Sequence, residues 1–115
     1  MALIGSNACH AWGQCNASGS VYDSYNISSV TDQGTGDMQF NFTTNFDSQY
    51  DYAALCTGRS ETSGYSGAAT QQIKYNTAPQ ANYCRVMNSY QDDNNSAHHL
   101  RDTGHFSFLG VGGDI

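Results

Sequence analysis

Charge is scarce in this sequence. Lysine and arginine number 4 and aspartate and glutamate 10, so only 12% of the 115 residues is charged and the formal net charge is −6. The cations Arg59, Lys74, Arg85 and Arg101 stand far apart. That spacing excludes the clustered basic footprint that direct nucleic-acid binding needs. Leu, Ile, Val and Phe amount to only 17 residues, a level at which disorder has to be considered. The aromatics oppose it. Eight Tyr, five Phe and one Trp make up 12% of the chain, and proline occurs once, whereas disordered chains are poor in aromatics and rich in Pro, Glu and Lys. Helical periodicity is nearly absent, which excludes a coiled coil or a helical bundle. No run approaches the ~18 apolar residues of a transmembrane helix, so membrane insertion is not expected. The opening MALIGSNACHAWG has neither a basic n-region nor an apolar stretch of signal-peptide length. A soluble chain made in a cytosol is the expectation.

What is present is alternation. In DMQFNFTT, residues 37–44, Met38, Phe40 and Phe42 fall on one face and Gln39, Asn41 and Thr43 on the other, the pattern of a half-buried strand. NISSVT (26–31) precedes it, and Asp32-Gln33-Gly34-Thr35-Gly36 lies between, with two glycines for a tight hairpin turn. Further strands are expected at 9–15, 21–24, 49–57, 72–76, 82–89 and 105–111. GAATQQI (67–73) is the one stretch that could make a helical turn. Seven or eight short strands over residues 1–115 predict a single all-β domain, an antiparallel sandwich or small jelly roll. Its core would draw on Met38, Phe40, Phe42, Trp12 and several tyrosines.

Cys9, Cys15, Cys56 and Cys84 permit three disulfide pairings. Without a signal peptide the favoured reading is reduced thiols acting as small buried hydrophobes. No C-x-x-C or H-x-x-x-H spacing suggests zinc. His98, His99 and His105 lie near Asp92, Asp93 and Asp102, but adjacent residues on extended backbone point to opposite sides, so a solvated loop is favoured over a metal site. The same geometry separates Cys9 from His10 and removes a Cys–His nucleophile pair. No G-x-S-x-G, P-loop or H-E-x-x-H pattern occurs, and Glu61 stands alone in a Gly/Ser stretch. Neither an enzyme nor a cofactor is expected. Two long polar segments remain, 58–69 and 90–104. Tyr65 and Tyr90 fall in or beside them, with His98 and His99 in the second. Tyrosine among Ser, Gly and Asn is the chemistry of adaptable contact surfaces, so these residues are candidate partner-contact positions.

The run NISSVTDQGTGD (26–37), continuing through NFTT (41–44), resembles a small β domain of bacteriophage virion proteins, among them tail-fibre and head-decoration proteins of marine and cyanobacterial phages. Ala11-Trp12, the segment 15–19 (CNASG) and the closing SFLGV (107–111) are similar to that family's opening and final strands. Cys15 stands where the family has an aromatic, no Pro follows NFTT, and residues 58–80 have no counterpart. The resemblance implies a structural protein of the virion, synthesised in the host cytoplasm and bound to capsid or tail proteins, and no catalytic residues. With no heptads or collagen-like repeats for a shaft, a chain of this length suits an oligomeric capsid-decoration protein or knob, with a homotrimer favoured. A tail-fibre or receptor-binding tip touching a host glycan or receptor is the alternative. A carbohydrate-binding adhesin module is the alternative from another class.

Overall fold

The computed structural model describes residues 9–59, 70–91 and 98–112. Among the described residues, nine strands form two antiparallel sheets: β1 (Cys9–Cys15), β2 (Val21–Tyr25), β3 (Ile27–Gly34), β4 (Asp37–Phe42), β5 (Ala53–Gly58), β6 (Thr70–Ile73), β7 (Tyr83–Gln91), β8 (His98–Leu100) and β9 (Phe106–Val111). Sheet A has the order β2-β1-β9-β5. Sheet B runs β3-β4-β7-β6, with β8 paired to β7. The two sheets pack face to face as a β-sandwich. The β3–β4 hairpin forms where the glycine-rich turn predicts it, with Gly34 and Gly36 both at positive φ.

The alternation in β4 becomes the centre of the core. Met38 and Phe40 are fully buried and Phe42 nearly so, and they face sheet A beside Cys84 and Val86 of β7. Sheet A meets them with small residues. Across β1, β9 and β5 run an Ala11–Gly110–Ala54 row and a Gly13–Phe108–Cys56 row. A Cβ on Gly13 would come within 3.3 Å of the Phe40 ring, so the glycine makes room for the aromatic. Phe40 stacks on Phe108 at 5.6 Å across the sandwich. At one end Phe46 lies flat on Tyr52 at 4.1 Å, and Phe42 meets both rings edge-on. The Tyr52 hydroxyl donates to the Gln80 carbonyl at 2.8 Å, which satisfies its polar end inside the core.

Side-chain amides hold the sheets together where ladders stop. Gln71 of β6 reaches across to sheet A, donating through Nε2 to the His105 carbonyl at 2.6 Å and accepting the Ser107 N–H at 3.2 Å. It thus mimics a strand partner for β9. The space it uses exists because residue 58 is glycine: a Cβ there would fall 1.8 Å from Gln71 Nε2. Asn26, at φ 58°, turns the chain from sheet A to sheet B. Its amide donates to the Thr44 carbonyl at 3.0 Å and accepts the Thr44 N–H at 2.7 Å. Asn88, 2% exposed, binds the Arg101 carbonyl through Nδ2 and the Gly36 carbonyl through its N–H. Asp102 accepts the Gly36 N–H at 2.8 Å, so residues 101–102 clamp the hairpin tip. A Cβ at Gly36 would strike the backbone of Arg101 and Asn88 within 2.7 Å.

Several expectations are corrected. Residues 70–73 of the expected helical turn are strand β6, because their side chains alternate between Gln71 and Ile73 on the core side and Thr70 and Gln72 outward. The segment from residue 90 is not loop throughout. Tyr90 ends β7, and His98 and His99 form β8, which occupies the edge of β7 that β4 leaves open beyond Met87. The strand expected at 49–57 starts only at Ala53, so Tyr50, 85% exposed, and Tyr52, buried, both precede β5. Trp12 is outside the core, since Ala11, Gly13 and Cys15 take the inward positions of β1.

All four cysteines are unpaired thiols. Burial pushes Cys15 and Cys84 up to about 12, with the Asp32 charge adding at Cys15 and Cys56 at Cys84, and pushes Cys56 up to about 11. Burial raises Tyr52 as well. Each folded-state value lies above the unfolded one, so the folded chain holds more protons than the unfolded chain at alkaline pH. The stabilisation is fully present below about pH 9 and is lost as pH rises toward 11–12. The urea midpoint should therefore hold steady from pH 7 to 9 and fall between pH 9 and 11, a fall that weakens in a Cys15→Ala, Cys84→Ala variant. The Gln71 lock predicts a coupled pair. Gln71→Ala takes this partner from the His105 carbonyl and the Ser107 N–H at the start of β9 and should cost about 2–4 kcal/mol. Gly58→Ala should also destabilise by displacing Gln71. The double variant should be no worse than Gln71→Ala alone, read by denaturant unfolding as a non-additive cycle.

Candidate contact face

Because the inner face of sheet A is set by Ala11, Gly13 and Cys15, the intervening residues of β1 must face outward. Register then aligns them with their neighbours. Tyr25 of β2, Trp12 of β1, Leu109 of β9 and Leu55 of β5 are directly opposite one another in turn. This forms one apolar row across all four strands of sheet A. It is open to solvent: Tyr25 is 57% exposed, Leu55 52% and Leu109 37%. Two residues along, Asp23, Gln14, Ser107 and Thr57 are opposite one another in the same order and make a parallel polar row. Over β1, β9 and β5 the rows border a groove of about 450 Å³, lined by Trp12, Gln14, Leu55, Thr57, Ser107 and Leu109 together with Gly13, Cys56 and Phe108 between them. No charged side chain lines it. Among the described residues, the side chains of Gln14, Thr57 and Ser107 make no hydrogen bond.

The outer face of sheet B is different in kind. Asp37, 6% exposed, accepts a paired hydrogen bond from the Arg85 guanidinium, with Lys74 Nζ at 3.7 Å. The hydrogen bond to Asp37 raises the Arg85 pKa further. Beside this cluster an amide network runs from Gln33 through Gln39 to Asn41, whose Nδ2 donates to both Ser29 and Thr31 hydroxyls. These groups are bonded to one another, and the face they form is self-satisfied.

Of the contact residues expected from sequence, Tyr65 lies outside the described residues. Tyr90 and His99 are brought together as a cross-strand pair, their rings 5.2 Å apart and nearly parallel, with the Arg101 guanidinium 6.0 Å from the Tyr90 ring. His98 stands opposite Gln91 at the end of the same β7–β8 ladder. Sequence reasoning passed over the outer row of sheet A, because only register reveals that Tyr25, Trp12, Leu109 and Leu55 line up. The usable signal was the parity of β1, in which small residues alternate with Trp12 and Gln14. Among the described residues, no three His, Cys, Asp or Glu side chains gather as metal ligands. No family model matches the chain, and no curated protein or solved structure is significantly similar to it.

Proposed function

We propose that the chain is a non-catalytic structural part of a bacteriophage particle, a small knob or capsid-decoration protein carried on the virion surface as a homo-oligomer, with a trimer favoured. The observation that carries a contact role is the bare apolar row of sheet A. Exposing contiguous apolar surface costs roughly 25 cal/mol per Å², and on a small soluble domain such a patch marks an interaction face. The phage context rests on the likeness of the 26–44 hairpin and the two terminal strands to virion domains. The low charge count fits a part held among neighbours, since little like-charge repulsion opposes close packing. A receptor-binding tip would use the same face.

Light scattering on the purified chain at micromolar concentration should give a single oligomeric mass, and the chain should sediment with phage particles. A monodisperse monomer that does not join particles would overturn the reading.

A further inference from the structure

We infer that the groove on the outer face of sheet A binds a neutral pyranose, free or as an uncharged unit of a glycan chain. The inference rests on the reading of this face as the contact face and names what it contacts. A sugar ring offers two kinds of surface, a C–H face that packs on aromatic and aliphatic side chains and a rim of hydroxyls that need donors and acceptors. The groove supplies both, in register. Trp12, Leu109 and Leu55 form one wall, and Gln14, Ser107 and Thr57 form the other. The rows are two residues apart, roughly 7 Å along the strands, close enough for one ring to touch both.

Three observations select this occupant. The polar wall consists of one amide and two hydroxyls, all without hydrogen-bond partners among the described residues, so they are available to a ligand. No charged side chain lines the groove, so an anionic or cationic ligand would lose its hydration with no counter-charge in return. The groove also lies over β1 and β9, which are hydrogen-bonded on both sides. A peptide adding itself as a strand could pair only along the outer edge of β5, beside the groove rather than in it. A second copy fits poorly as well. A two-fold pair would set groove against groove and leave both unfilled, where stable interfaces are packed as closely as interiors. The volume of about 450 Å³ falls within the usual range of small-ligand sites.

The test uses the whole chain on a glycan array bearing neutral, sialylated and sulfated structures, followed by titration of the best neutral ligand. Trp12 is the only tryptophan, so its fluorescence reports directly on the groove. A saturable change with a neutral glycan is expected. Trp12→Ala should weaken binding on the array by about tenfold or more, and the exposed Gln14→Ala by roughly fivefold. Gln14→Ala also serves as the variant that keeps the fold should Trp12→Ala lose it. Array binding confined to charged glycans, no binding at all, or full binding by Gln14→Ala with an unchanged tryptophan signal would overturn the inference. Sugar binding by a monomer that ignores particles would leave the groove standing and remove the virion reading. Particle association without sugar binding would do the reverse.

Discussion

The fold depends on one aromatic assembly between its sheets. All five phenylalanines are buried, and four of them, Phe40, Phe42, Phe46 and Phe108, form with Tyr52 a connected set of rings from Phe40 and Phe108 at the centre to Phe46 at one end. A chain with so few aliphatic residues has little else from which to build a core. Rings as large as these close a sandwich only if the facing sheet recedes, since interiors tolerate neither voids nor overlap. Sheet A recedes through Ala11, Gly13, Ala54, Cys56 and Gly110. Scarcity of Leu and Ile and abundance of Gly and Ala are therefore two sides of one packing solution.

That solution also determines what sheet A shows to solvent. Strand side chains alternate, so committing Ala11, Gly13 and Cys15 to the core commits Trp12 and Gln14 to the outside. The same holds in β9, where Phe106, Phe108 and Gly110 face inward and Ser107 and Leu109 outward. Register then joins these leftovers into an apolar row and a polar row. The outer face of sheet A is not assembled by a loop; it is the reverse side of the core. A one-residue slip of β1 would bury Trp12 against Phe40 and destroy face and core together.

This coupling explains which features were legible in the sequence. The β3–β4 hairpin was, because Met38, Phe40 and Phe42 alternate with polar residues and two glycines mark the turn. The all-β sandwich was legible for the same reason, repeated along the chain. Trp12 was misplaced because large apolar residues were assigned to the core by type, whereas the space left by Phe40 and Phe108 admits only small ones opposite. Strand β8 was missed because three residues, His98, His99 and Leu100, are too few to show alternation, and it forms by extending the edge of β7. The rows of sheet A were invisible for a stricter reason. Tyr25, Trp12, Leu55 and Leu109 come from four separate strands, and only pairing makes them neighbours.

The amide-rich composition has a matching logic. Asparagine and glutamine carry both a donor and an acceptor, so they can stand in for a peptide group. Gln71 does this for β9, Asn26 for the corner between β2 and β3, and Asn88 for the hairpin tip. Asn16 does it in the β1–β2 turn, where its carbonyl oxygen accepts the N–H groups of Ser18 and Ser20. On sheet B, Gln33, Gln39 and Asn41 satisfy each other. Each of these side chains is consumed by the fold, which is how a domain with few charges and few aliphatic residues stays ordered. Gln14, like Gln72 and Asn82, stands outside that pattern. It has the same bonding capacity and lies beside the single tryptophan in an uncharged groove, yet no hydrogen bond within the described fold uses it. What marks the outer face of sheet A is such an amide set beside Trp12 in a groove that no charged side chain lines.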